Sequence, residues 1–172
     1  MSAITLYARA SAQFDEREAH AVAVLQSAAT EHAGAVVQAT SLGAEDMVLT
    51  DLIARHQLPI AIGTLDTGML HAQTLALIPR IEARYGLSLE RHAPQAEAVV
   101  QFVRLHGEQP MVRSIELRKA CCELRKLQPL ARMLQGRTAW VTGLRREQAL
   151  SRAQLPFIER EEAATAAVQR IK

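Results

Sequence analysis

Short apolar runs alternate with longer amphipathic stretches along most of this 172-residue chain, and that alternation restricts the folds that it can adopt. The apolar runs predict strands at residues 35–40, 60–65, 87–91 and 138–143. Helical periodicity predicts helices at residues 15–31, 47–54, 71–84, 95–105 and 119–134. Pro79 and Pro129 are expected to break the helices that contain them. Strands that alternate with helices predict an α/β fold, a mostly parallel sheet flanked by helices, in a single domain over residues 1–172.

The composition argues against several classes of function. Hydrophobic residues make up 49% of the chain, enough for a sizeable core, and the net charge is only +2. Aromatic residues make up 3%, so stacking platforms for single-stranded nucleic acid are not expected. We see no signal peptide and no apolar run long enough to cross a membrane. Together with the two cysteines, these features predict a cytoplasmic protein without nucleic-acid or membrane partners.

Three polar motifs follow predicted strands, where ligands bind in parallel sheets. The first joins a strand to a helix, and it comprises Ser41, Leu42, Gly43, Ala44, Glu45 and Asp46. Gly43 is expected to permit a tight turn, and the amides that open the next helix favour an anion. The motif predicts a phosphate or sulfate cradle. The alternative is an ordinary helix N-cap followed by acidic residues.

The second motif, Leu65, Asp66, Thr67 and Gly68, closes another predicted strand. The side chains of Asp66 and Thr67 could bind a ribose or a base, and Gly68 leaves room for it. An ordinary Asx-type turn is the alternative.

The third motif is a basic loop after the strand at 138–143, with Arg145, Arg146 and Arg152. The guanidinium fork suits the oxygens of phosphate and sulfate. The alternative is a solvated charge run in which Glu147 pairs with a neighbouring arginine.

Cys121 and Cys122 are the only cysteines, and they are adjacent within a basic segment. Adjacent cysteines fit a disulfide poorly, whereas two thiolates suit one metal centre. Two small, half-buried helix residues are the alternative. Lys126 follows Cys122 by four residues, on the same helix face. The six histidines are expected to be structural or solvent-facing, and Asp15, Glu16, Glu161 and Glu162 to lie on charged helix faces.

Four segments together resemble the adenylyl-sulfate reductases of sulfate assimilation, which belong to a wider group with the phosphoadenosine phosphosulfate reductases. They read S-L-G-A-E-D-M-V-L, L-D-T-G, C-C-E-L-R-K-L-Q-P-L and T-G-L-R-R-E-Q-A-L-S-R, and they occur in the family's order over about residues 35–160. The resemblance implies an adenine nucleotide α-hydrolase-like (PP-loop) fold. It assigns the nucleotide and anion contacts to the three motifs above.

The resemblance also implies a cofactor and a reaction. Cys121 and Cys122 would supply two of the four ligands of a [4Fe–4S] cluster, and Lys126 would lie between cluster and substrate. Adenylyl sulfate would be reduced to sulfite and AMP with thioredoxin as the electron donor, through an S-sulfocysteine on a cysteine in a C-terminal E-C-G-[LI]-H segment. The cysteine pair marks the branch that prefers adenylyl sulfate over its 3′-phosphorylated form, a preference that the residues themselves leave open.

The sequence departs from the family pattern in two places. It contains neither a Cys-x-x-Cys pair nor the E-C-G-[LI]-H segment, so it is expected to be C-terminally incomplete and inactive alone. Met69 stands where the family often has arginine. Two other functions remain open, an ATP pyrophosphatase-type ligase or adenylyltransferase and a non-catalytic nucleotide-binding module. A homo-oligomer is compatible with the sequence.

Overall fold

The computed structural model describes residues 12–144, 156–163 and 166–171, and these contain one six-stranded sheet. The strands are β1 (Val36–Thr40), β2 (Ala61–Leu65), β3 (Glu90–His92), β4 (Ala139–Val141), β5 (Ile158–Ala163) and β6 (Ala166–Ile171). Their order across the sheet is β3-β2-β1-β4-β6-β5. Every neighbouring pair is parallel except β5 with β6, an antiparallel hairpin at one edge. The predicted mostly parallel sheet is confirmed.

One helix precedes β1 along the chain, and the other described helices lie between successive strands from β1 to β4. The helices are α1 (Phe14–Glu31), α2 (Ala44–Arg55), α3 (Ala72–Leu75), α4 (Leu77–Tyr85), α5 (Ala96–His106), α6 (Ile115–Cys122) and α7 (Gln128–Leu134). A short 3₁₀ helix covers Pro110–Val112, and a π-helical segment, Glu123–Leu127, joins α6 to α7.

Alternation along the strands builds two apolar cores, one on each face of the sheet. Val36 of β1 packs with the inward residues of α1, α2 and α4. Its neighbour Val37 points to the other face, where it packs with Trp140 and with Met133 of α7. Because successive side chains of a strand point to opposite faces, a run that is apolar throughout serves both cores. The sheet is therefore covered by helices on both sides.

Both predicted proline breaks occur, each upstream of the proline itself. A proline at position i cannot donate to the carbonyl of residue i−4. The predicted helix 71–84 divides at Ala76, next to Leu75, whose carbonyl Pro79 cannot bond. Pro129 likewise cannot bond the carbonyl of Arg125, and the chain is π-helical around that residue. The two prolines lie in the first turns of α4 and α7, where an N–H is not needed.

Two predicted elements are wrong in extent or type. The helix predicted to begin at residue 119 begins at Ile115, where the Ser114 hydroxyl accepts a hydrogen bond from the N–H of Leu117. Glu161 and Glu162 do not lie on a charged helix face, because they belong to strand β5. Local helix propensity is overridden there by pairing with β6, which itself pairs with β4.

In the parts of the chain that are described, the helices include none with an apolar stretch sufficient to traverse a bilayer.

Candidate functional site

The carboxyl ends of β1, β2 and β4 lie side by side. These three strands are parallel neighbours, with β1 between the other two. The loop after β1 (residues 41–46), the turn after β2 (residues 65–68) and the segment after β4 therefore emerge at the same edge of the sheet. We call this edge the carboxyl edge. It brings together two of the three motifs singled out in the sequence and the start of the third.

The loop after β1 turns at Leu42. This residue has a φ of 63° and is buried, whereas Gly43 has a φ of −75°. The expectation that Gly43 supplies the special turn conformation is therefore wrong. A left-handed conformation at a non-glycine residue costs about 1–2 kcal/mol and persists where the surroundings enforce it. The Leu42 amide is held by the Thr40 hydroxyl at 3.0 Å, and its side chain is part of the core.

Asp46 fastens this loop to the end of β4. One carboxylate oxygen accepts hydrogen bonds from the backbone N–H of Ser41, at 2.7 Å, and from the Ser41 hydroxyl. The other accepts the N–H of Gly143 at 2.8 Å. Asp46 is buried in the first turn of α2, where the helix dipole also favours an anion. Its carboxylate is therefore engaged by protein donors and positions two segments of the carboxyl edge.

Gly143 was not singled out in the sequence, yet the contact with Asp46 requires it. A Cβ at this position would lie 2.5 Å from a carboxylate oxygen of Asp46 and 2.8 Å from its backbone nitrogen. Backbone atoms cannot move aside as a flexible side-chain end can, so any side chain here would separate β4 from the loop. The available signal was the glycine shortly after a strand, a feature shared with Gly43 and Gly68.

The amides that open α2 face the same edge. The first backbone hydrogen bond of the helix runs from the N–H of Met47 to the carbonyl of Gly43. The preceding amides, including that of Ala44, stand outside the helix ladder. Such amides, with the helix dipole behind them, suit an anion.

The turn after β2 is held by its own side chains. Asp66 accepts the N–H of Gly68 at 3.1 Å, and the Thr67 hydroxyl accepts the N–H of Met69 at 3.2 Å. Gly68 has a φ of 68°, a conformation that favours glycine. The Asx-type turn foreseen as the alternative is thus present. It leaves one Asp66 oxygen outside the turn's own hydrogen bonds.

Arg125 meets this turn from the π-helical segment. Its Nη1 donates to the carbonyl oxygen of Thr67 at 2.8 Å, and the residue is only 8% exposed. Gly68 allows the approach, because a Cβ there would lie 3.2 Å from Nη1. From the sequence alone, Arg125 was recognisable only as one of the cations in the basic segment around the cysteines. The available signal was Pro129, which disturbs the helix at Arg125.

The cysteines lie at the end of α6, directly before the π-helical segment. Both are free thiols, with Cys121 buried and Cys122 half-buried. Lys126 lies within the π-helical segment and is exposed. Within the described residues, no group of three or more His, Cys, Asp or Glu side chains could hold a metal ion. The pair thus offers two thiol ligands of the right chemistry for an iron–sulfur group, and the described chain supplies no third.

The first turn of α6 carries a shifted carboxyl group. The pKa of Glu116 is lowered, chiefly by a hydrogen bond from its own backbone N–H and then by the Ser114 side chain. The N-terminus of the cysteine-bearing helix thus favours negative charge.

Arg145, Arg146 and Arg152, the predicted anion-binding arginines, lie outside the described residues. The structure describes the chain as far as Leu144, one residue before the first of them.

Known proteins resemble this chain over most of its length. Residues 35–171 match the phosphoadenosine phosphosulfate reductase domain. Adenosine 5′-phosphosulfate reductase of Allochromatium vinosum is 50% identical over 143 residues, 83% of this chain and 56% of that protein. The enzyme of the same name from Burkholderia cepacia is 50% identical over 125 residues, 73% of this chain and 50% of that protein. The chain spans about half the length of these curated relatives.

A solved structure agrees with the fold. The crystal structure of phosphoadenylyl-sulfate (PAPS) reductase from Candida auris, a phosphate complex, superposes with a TM-score of 0.71 at 25% identity, covering 94% of this chain and 78% of that one. The predicted adenine nucleotide α-hydrolase-like (PP-loop) fold is confirmed. By the family match and the sequence identity, this chain belongs to the phosphoadenosine phosphosulfate reductase family.

Proposed function

We propose that this chain is the nucleotide-binding part of an enzyme of sulfate assimilation, on the way to cysteine, that reduces adenylyl sulfate to sulfite and AMP with thioredoxin as electron donor. Relatives that are 50% identical carry the name adenosine 5′-phosphosulfate reductase, which supports this substrate over the 3′-phosphorylated form. Since the chain spans about half of those relatives, the activity is proposed for the whole protein.

One observation carries the proposal, the junction that Asp46 makes between the loop after β1 and Gly143. It brings the helix-opening amides of residues 44–46 next to the segment that leads into Arg145 and Arg146. Amides and guanidinium groups both favour the oxygens of phosphate and sulfate. The arrangement therefore suits the phosphosulfate of adenylyl sulfate.

The remaining roles follow from position at the carboxyl edge. The loop Ser41–Asp46 would hold the phosphate through backbone N–H groups, with Leu42, Gly43, Ala44 and Glu45 shaping its path. The turn Leu65–Gly68 would contact the nucleoside through the Asp66 oxygen that lies outside the turn's own hydrogen bonds. The arginines at 145, 146 and 152 would stabilise negative charge on the phosphosulfate.

Cys121 and Cys122 would hold one side of a [4Fe–4S] cluster, and the other two ligands would come from the rest of the protein. A bound cluster would supply a charged iron–sulfide centre. The exposed ammonium of Lys126 would lie within the same basic segment and balance the substrate's charge. The burial of Cys121 beside the half-buried Cys122 fits thiols that face the protein rather than bulk solvent.

The reaction would need a thiolate that these 172 residues do not supply beyond the pair. A cysteine sulfur of the whole protein would attack the sulfate sulfur, the bond from that sulfur to the bridging oxygen would break, and AMP would leave with its electron pair. One thioredoxin thiol would then attack the cysteine sulfur, so that its bond to the sulfite group breaks and sulfite leaves. The second thioredoxin thiol would free the cysteine thiol as thioredoxin becomes a disulfide. This chain's part would be to bind and orient the nucleotide for that attack.

The test is an assay of the full-length protein purified without oxygen. We expect sulfite release from adenylyl sulfate that depends on reduced thioredoxin, together with bound iron and sulfide. The Cys121→Ser variant should bind no iron and release no sulfite. The control is Glu123→Gln, a substitution at the residue after Cys122, and this variant should keep both properties. Faster turnover of the 3′-phosphorylated nucleotide would reassign the substrate, and an iron-free protein with full activity would remove the cluster.

A further inference from the structure

Two charged side chains are buried in the described part of the chain, Asp46 and Arg125, and their surroundings differ. Asp46 accepts hydrogen bonds from Ser41 and Gly143 and is well satisfied. Arg125 has one hydrogen bond, to the carbonyl of Thr67, and its buried Nε has no partner. Across the described residues, no carboxylate lies within ion-pair distance of it.

Burying a guanidinium that has so few hydrogen-bond partners costs folding free energy. Moving a cation out of water costs several kcal/mol unless an anion or a full set of acceptors replaces the water. A guanidinium has five N–H donors, and one carbonyl satisfies only one of them. The half-buried Arg137 shows the usual solution elsewhere in this fold, because it pairs with Glu90 at 2.6 Å. Arg125 lacks such a pair in the described chain.

The position of Arg125 indicates what kind of group would pair with its guanidinium. Its Nη1 lies directly beneath the Thr67–Gly68 turn at the carboxyl edge, where Gly68 leaves no side chain in the way. The approach is fixed by the π-helical segment and by the turn, so the guanidinium is pre-organised and loses little freedom on binding.

We infer that Arg125 is an anion-binding residue of this site and that it takes the 5′-phosphate of the bound nucleotide. The inference rests on the proposed function, and it adds to the predicted arginines one that the described structure already places. A nucleotide phosphate would offer the acceptors that Thr67 alone does not provide, and a guanidinium can bind two of them in parallel.

Calorimetry with AMP and with adenosine separates this role from a purely structural one. Arg125→Gln keeps a donor for the Thr67 carbonyl but removes the charge, and Arg125→Lys keeps the charge but removes the fork. The control is Arg118→Gln, which deletes one positive charge from an exposed position on the neighbouring helix α6.

We expect Arg125→Gln to weaken AMP binding about ten-fold to a hundred-fold, the range for a hydrogen bond to a charged group. Adenosine binding should change less than about two-fold in this variant, because adenosine has no phosphate. Arg125→Lys should fall between, and Arg118→Gln should bind AMP like the wild type. If Arg125→Gln weakens the binding of AMP and adenosine equally, Arg125 only stabilises the turn. If its affinity for AMP is unchanged, Arg125 does not belong to the binding site.

A second measurement tests anion binding by Arg125 without any nucleotide. Inorganic sulfate should raise the melting temperature of the wild type more than that of Arg125→Gln. If the wild type binds neither AMP nor adenosine, the proposed function fails, and the sulfate shift alone decides whether Arg125 binds an anion. Equal sulfate shifts in wild type and Arg125→Gln would overturn the inference.

Discussion

At the scale of single residues, the site depends on side chains that hold backbone segments in place. Asp46 joins the loop after β1 to the end of β4, and Gly143 makes that contact sterically possible. Leu42 adopts a left-handed conformation that its burial in the core enforces. Together they hold the loop after β1 against the end of β4 at the carboxyl edge.

Asp46→Asn should destabilise the protein by about 1–3 kcal/mol, the cost of leaving buried donors without their acceptor. An amide at this position would direct its NH₂ group at the N–H of Ser41 or of Gly143. The measurement is the free energy of unfolding in urea.

The matched control for that substitution is Asp51→Asn on the same helix. Asp51 is partly exposed and accepts from Tyr85 while pairing with Arg55. Exposed pairs contribute about 0–1 kcal/mol, so the control should cost less. Equal costs for the two variants would contradict the positioning role of Asp46.

At the scale of elements, the helix that carries the cysteines is defined by its two ends. Ser114 caps its start, and Pro129 disturbs the ladder beyond its end. The apolar runs predicted strands β1, β2 and β4 near their observed positions, because buried strands of a parallel sheet are apolar throughout. The hairpin of β5 and β6 could not be predicted, since its Ala- and Glu-rich sequence favours a helix locally and only pairing across the sheet makes it strands.

Like the fold, the candidate site could be predicted only in part from the sequence. The loop after β1 and the turn after β2 have local sequence signals, and the structure places both at one edge. Arg125 and Gly143 depend on contacts with residues distant in sequence, Thr67 and Asp46, which no local pattern encodes.

Ser114→Ala should lower the stability of the protein by about 1 kcal/mol, because it removes a helix N-cap. It should also move the pKa of Glu116 back towards the ordinary range, since the Ser114 side chain contributes to lowering it. An NMR titration of Glu116 in both proteins measures the shift.

The pH dependence of Glu116 has a definite sign. A carboxyl whose pKa is lowered on folding stabilises the protein above its unfolded-state pKa, and the contribution disappears as the pH falls through the folded-state value. The stability difference between wild type and Glu116→Gln should therefore be present near neutral pH and absent in strong acid. A difference that grows in acid would contradict this assignment.

At the scale of the whole molecule, the fold presents one carboxyl edge, and the buried charges of the described residues, Asp46 and Arg125, both make contacts there. β1 lies between β2 and β4. The loop after β1 therefore contacts Gly143 at the end of β4 on one side, and on the other side it lies at the same edge as the turn after β2. Among the described residues, this edge gathers the amides that open α2 and the guanidinium of Arg125.

The most direct test of a nucleotide site at the carboxyl edge is a crystal structure of the protein with AMP. We expect the phosphate within hydrogen-bond distance of the amides of residues 44–46 and of Arg125, with the nucleoside against the turn at residues 65–68. Nucleotide bound elsewhere on the molecule, with the carboxyl edge left to solvent, would contradict it.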